Sequence, residues 1–203
     1  LNKISKDYNA IYFVETGTWK GDGVAVALQN PFQKIISIEI IPQIAALAKK
    51  RFQLSENVKI IAGASTPVLL RELPTLKGNC IFWLDAHFPG AEEGIMEYNA
   101  EKDESLRLPL ENEIEVISMA RTCYKDVLII DDFRIYEDGP FENGNAPEDV
   151  LPKGNRGIGF IYDHFGSTHK ILKSYRDEGY LFILPLDFDE YNPPGFPDQY
   201  FSA

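Results

Sequence analysis

Short apolar runs alternate along this chain with stretches whose apolar positions recur every three or four residues. The runs at 11–15, 34–39, 58–62, 80–85 and 127–131 predict β-strands. Between them, helical periodicity covers 21–29, 42–54, 66–73 and 110–121. Pro42 and Pro67 suit a first helical turn, where the missing N–H has no partner to lose, and Ser65 and Thr66 are candidate caps for the helix containing Pro67. The segments "CIFWLD" and "VLIID" are apolar on both faces, as a sheet covered on both sides requires. The pattern therefore predicts an α/β fold with a doubly wound, mostly parallel sheet. Right-handed crossovers would gather the strand C-termini on one edge, where ligands bind in such folds. Glu15, Glu39, Asp85, Asp131 and Asp132 all fall at strand ends on that edge.

Beyond Asp132 the alternation weakens. Residues 134–157 are rich in Gly, Pro, Asn and acids and read as a long loop, either a substrate lid or a surface excursion. Helical character returns at 166–178, a strand is predicted at 180–186, and 199–202 could return as a short antiparallel strand. A second long acidic insertion spans 88–107, between the fourth strand and its helix.

At 203 residues the chain suits one domain, 1–203. Its 31 acidic and 20 basic residues give a net charge of −11 without a basic cluster, which disfavours a nucleic-acid partner and favours a small molecule. No apolar run approaches the ~20 residues of a membrane helix. The stretch "LNKISKDYNA" lacks the apolar core of a signal peptide. A first residue other than Met leaves open that the chain is a fragment. Cys80 and Cys123 adjoin apolar stretches and read as buried reduced thiols, favouring a cytoplasmic protein. A homo-oligomer is left open.

The stretch "FVETGTWKGDG" carries the first candidate chemistry. An apolar strand stops at Glu15, and Gly17, Gly21 and Gly23 follow in G-x-x-x-G-x-G spacing, unlike the G-x-G-x-x-G of dinucleotide binders. With its acid and glycines, "VETGTWKGDG" resembles motif I of the class I S-adenosylmethionine-dependent methyltransferases. "IISIEI", "KIIAGAS", "FWLDAHF" and "LIIDDF" resemble their second to fifth strands in order. The resemblance implies a sheet of about seven strands and S-adenosylmethionine as cofactor. Glu15, Gly17, Thr18 and Gly21 would surround its methionine part, and Ala64 and Ser65 its adenine. Glu39 follows Glu15 by 24 residues, near the ~20 at which an acid accepts ribose hydroxyls. Gly21 and Gly23 could equally serve close helix packing, and Trp19 reads as a packed turn residue. A NAD-dependent oxidoreductase and a non-catalytic nucleoside-binding domain remain the alternatives.

Asp85, Asp131 and Asp132 end neighbouring strands in this topology. Three converging carboxylates need either raised pKa values or a cation, and a hard divalent ion such as Mg²⁺ meets that need. This resembles the metal-dependent O-methyltransferases, including those acting on sugars, and implies a small-molecule hydroxyl acceptor, sugar or diol-like. Asp85 also borders the cofactor. His87, two residues on, is a candidate general base beside Asp85, or a hydrogen-bonded loop histidine. His164 and His169 have weaker cases. Glu111 and Glu113 are expected to solvate a helix start.

Overall fold

The computed structural model describes residues 1–186 apart from 92, 93, 96, 99 and 155; the strand expected at 199–202 lies outside the described residues. Seven strands form one sheet in the order β3-β2-β1-β4-β5-β7-β6. They are β1 (Ala10–Thr16), β2 (Lys34–Glu39), β3 (Val58–Ala62), β4 (Asn79–Leu84), β5 (Val127–Ile130), β6 (His169–Ser174) and β7 (Tyr180–Pro185). The first five are parallel, and β7 runs antiparallel to both of its neighbours, β5 and β6.

Strand alternation sends consecutive apolar residues to opposite faces. On one face Phe13, Ile35, Ile81 and Ile129 pack with Val24 of α2 (Asp22–Ala27) and Ala45 of α3 (Pro42–Arg51). The same core takes Ile4 of α1 (Asn2–Asp7). On the other face Val14, Ile36, Phe82 and Leu128 meet Leu69 of α4 (Ser65–Glu72) and Ile117 of α6 (Leu110–Ala120). Ile161 of α7 (Gly159–Phe165) joins this second core. The doubly wound expectation holds, and among the described residues no helix is long and apolar enough to cross a membrane.

Three expectations need correction. Residues 169–174 of the helix predicted at 166–178 form β6, whose residues are mostly half-buried. The helix instead precedes them as α7. The helix cap expected at Ser65 or Thr66 falls on Ala64, and Ser65 already belongs to the helix. Cys80 is buried as expected, but Cys123 is exposed; both are free thiols.

The short α5 (Glu104–Arg107) closes the 88–107 insertion. Arg107, only 1% exposed, donates to the carbonyls of Tyr98, Asp149 and Leu151 at 2.9–3.1 Å and pairs with Glu104 at 2.9 Å. One buried guanidinium thus ties together the two long loops that the sequence leaves without regular structure.

Candidate active site

Hydrogen bonds one residue beyond the parallel ladders hold the rim. Gly17 N–H donates to Ile38 O (2.9 Å), Asp85 N–H to Thr16 O (3.1 Å) and Asp131 N–H to Leu84 O (3.1 Å). The backbone of each strand end is therefore fixed before its acidic side chain is placed. Gly17 has φ +83°, and a Cβ there would fall 2.5 Å from the Asp85 carbonyl oxygen. Glycine is needed here for conformation and for the approach of two chain segments.

A cleft of about 290 Å³ opens on this rim. Gly17, Trp19, Glu39, Ser65, Asp85 and His87 are among its lining residues, with Ala64 beside Ser65. Glu39 is 6% exposed, and its two carboxylate oxygens accept the N–H groups of Trp19 (3.0 Å) and Ile41 (2.9 Å). Each oxygen keeps lone-pair capacity toward the cleft. Trp19, expected as a packed turn residue, is 39% exposed and lines the opening. Phe88, Ser105, Leu106 and Asn112 also line it, so the 88–107 insertion forms part of the wall.

Glu15, Thr18 and Gly21 stand behind this lining. Glu15 is 3% exposed and lies under α2, where a Cβ on Gly23 would sit 1.8 Å from its Oε1. It accepts a hydrogen bond from Ser37, its register partner on β2, and Ser37 in turn contacts Thr18 Oγ1 at 2.6 Å. Burial pushes the Glu15 carboxyl up to about 8, against the opposing Ser37 hydrogen bond. Gly21 is the left-handed N-cap of α2 and faces the Phe52 ring.

Beyond the ends of β4 and β5, Asp85, His87 and Asp132 converge, with one donor atom of each lying within 4.8 Å of the others. His87 Nε2 is 3.1 Å from Asp85 Oδ1 and 3.0 Å from Asp132 Oδ2. Burial disfavours the imidazolium, but the two carboxylates outweigh it and hold the His87 pKa well above its ordinary value. Burial also acts against the Asp132 carboxylate; contacts with His87 and Arg134 overcome it and lower the pKa. Asp132 adopts φ 49° in the left-handed region, a conformation that Asp tolerates better than most residues.

Asp131 stands apart from this trio. Its Oδ1 accepts the Asp132 N–H at 2.8 Å, and burial together with the Asp85 charge raises its pKa well above the carboxylate range. It lines a separate small cavity beneath the rim with Asp85, His87, Glu113 and Tyr136.

Glu113 departs from its expected role. Rather than solvating the helix start, it is 1% exposed, with Thr16 Oγ1 donating to Oε2 at 3.3 Å and a further hydrogen bond from Ser65. Burial raises its pKa to about 7 against these bonds. A sequence signal existed: Leu110, Glu113, Ile114 and Ile117 share one face at helical spacing, and all four are buried. Glu111, by contrast, is exposed. His164, on α7, contacts Ser118, while His169 begins β6.

Strand order, helices on both faces and an acidic rim give the chain the fold of the class I S-adenosylmethionine-dependent methyltransferases. No protein-family model and no curated protein sequence matches it. Among solved structures it is similar to the O-methyltransferase TomG of Streptomyces achromogenes in complex with SAM. That match has 14% identity and TM-score 0.54, and covers 91% of this chain and 77% of that one. It is similar also to the SAH-bound methyltransferase PaMTH1 of Podospora anserina (15% identity, TM-score 0.52, 90% and 75% covered). A third is an O-methyltransferase of Bacillus cereus in complex with SAH (12%, 0.53, 91% and 78%).

Proposed function

We propose that this protein is a methyltransferase that moves a methyl group from S-adenosylmethionine to a hydroxyl of a small molecule. The observation that carries the reading is one cleft lined both by Glu39, at the end of β2, and by Asp85 and His87, which follow β4 on the other side of β1. A nucleoside-sized ligand held at Glu39 would have its reacting end beside Asp85 and His87. The neighbours with bound SAM or SAH are consistent with such a ligand.

Glu39 is the ribose acceptor in this reading, with Gly17 against the methionine part and Ser65 toward the adenine. Glu15, Thr18 and Gly21 shape the glycine turn from behind. The cofactor supplies an electrophilic methyl carbon on a sulfonium, a cation that an acidic rim tolerates. The acceptor oxygen forms its bond to that carbon as the carbon–sulfur bond breaks, and the hydroxyl proton leaves to a group of the rim. Asp85 and His87 both line the cleft; with His87 already holding a proton, Asp85 is the candidate to take that one.

Asp85, His87 and Asp132 fit a divalent ion: two carboxylates and an imidazole whose buried Nε2 lacks a hydrogen bond of acceptable geometry. Such an ion would neutralise the cluster and lower the pKa of an acceptor hydroxyl. The sequence places Asp131 in this set, and the geometry favours His87 in its stead.

Incubating the protein with methyl-labelled S-adenosylmethionine and a panel of sugars and catechol-like diols tests the proposal. Labelled product is expected, with loss of turnover on chelation and in Asp132→Ala. Turnover that survives chelator removes the cation from the mechanism; no transfer to any hydroxyl acceptor contradicts the acceptor class.

A further inference from the structure

Beneath the rim lies a small cavity of about 10 Å³, room for roughly one water molecule. Three buried polar atoms of its lining residues lack hydrogen-bond partners: Oε1 of Glu113, on a side chain nearly inaccessible to solvent, Nδ1 of His87, and the His87 Nε2 that faces the two aspartates. A buried carboxylate oxygen and a ring nitrogen left unpaired each cost stability unless something joins them. A water between Oε1 and Nδ1 would satisfy both, accepting from Nδ1–H and donating to Oε1.

That bridge has a consequence on the opposite side of the ring. With Nδ1–H held by that water, Nε2 is the ring nitrogen that faces Asp132 Oδ2 at 3.0 Å and Asp85 Oδ1 at 3.1 Å. A proton on Nε2 offsets the two anionic oxygens, and a divalent ion placed among them would displace that proton and take the Nε2 lone pair. A histidine that ligates a metal commonly donates its other N–H to a carboxylate, directly or through water. Imidazole suits the later first-row ions, whereas Mg²⁺ prefers oxygen alone.

We propose that Glu113 is a positioning residue that, through this water, holds His87 as an Nε2 ligand, and that the Asp85–His87–Asp132 site selects a transition dication over Mg²⁺. The inference rests on the cation-assisted reading above and makes His87 a ligand of the cation rather than the group that takes the proton. Thr16 and Ser65 support the role, because their hydroxyls fix the Glu113 carboxylate from the strand and helix beside it.

Calorimetric titration of the metal-stripped full chain with Mg²⁺, Mn²⁺ and Co²⁺ tests it, alongside pulsed electron paramagnetic resonance of the Mn²⁺ form. Co²⁺ should bind at least tenfold more tightly than Mg²⁺, and bound Mn²⁺ should show an imidazole nitrogen coupling that His87→Asn removes. Glu113→Gln should weaken Co²⁺ binding about 10- to 100-fold. Equal affinity for Mg²⁺ and Co²⁺, or no nitrogen coupling in the unsubstituted protein, overturns the proposal; that second readout needs no variant to fold. Unchanged Co²⁺ affinity in a folded Glu113→Gln overturns the positioning role. Failure of S-adenosylhomocysteine to bind the unsubstituted protein instead contradicts the methyltransferase reading, independently of the metal result.

Discussion

Glu15 and Glu113 are carboxylates at positions that the surrounding packing would give to apolar side chains, one on each face of the sheet. Each ionises above its ordinary value of 4.5, Glu15 at about 8 and Glu113 at about 7, because burial disfavours the charge. Between those limits the folded chain keeps protons that the unfolded chain has lost. Stability therefore falls as pH rises from about 4.5 to 8, by up to ~1.4 kcal/mol per pH unit for each group. His87 acts with the same sign: its raised pKa gives stability that is full below 6.5 and lost as pH climbs through the folded value. Asp132, lowered, opposes this only in acid below its ordinary 3.8. Glu15→Gln should flatten the profile and raise the melting temperature more at pH 8 than at pH 5. Equal shifts at both pH values in thermal unfolding would argue against a proton held by Glu15. Residue types at strand ends made Glu39 and Asp85 legible in sequence. Glu113 was obscured because an acid in a first helical turn ordinarily faces water, and only its place among Leu110, Ile114 and Ile117 pointed inward.

Among the elements, β2 and β3 have the bounds the apolar runs predict, since strands covered on both faces show continuous hydrophobicity. The β6 segment "HKILKS" escaped for the opposite reason. It is an edge strand with lysines at Lys170 and Lys173, a composition that suits an edge and blurs alternation. The two long loops were visible as loops, but not the buried Arg107 that joins them, because a single arginine has no local pattern. Arg107→Ala leaves the carbonyls of Tyr98, Asp149 and Leu151 without that donor and should cost about 1–3 kcal/mol. Limited proteolysis should then cut both 88–107 and 134–157 faster than in the unsubstituted protein. Faster cutting in only one loop would show that Arg107 does not couple them. Because 88–107 supplies cleft wall, bound S-adenosylhomocysteine should slow its cleavage; identical rates with and without ligand would mean that the wall does not respond to the cleft.

For the molecule as a whole, parallel strands and strand-end acids converge on one rim, and that convergence was readable from the order of segments alone. The sequence could not divide the acids into those that face the cleft and those behind it. Strand register decides this: Glu39 and Asp85 line the opening, while Glu15 turns under α2 and Asp131 toward the cavity below. Calorimetric titration with S-adenosylhomocysteine, set against NAD and repeated in Glu39→Ala, therefore tests the central claim most directly. Binding of S-adenosylhomocysteine but not NAD is expected, with at least tenfold weaker affinity in Glu39→Ala from loss of charge-assisted ribose contacts worth about 1.5–3 kcal/mol. Binding of NAD in its place, or an affinity for S-adenosylhomocysteine indifferent to Glu39, would contradict the account.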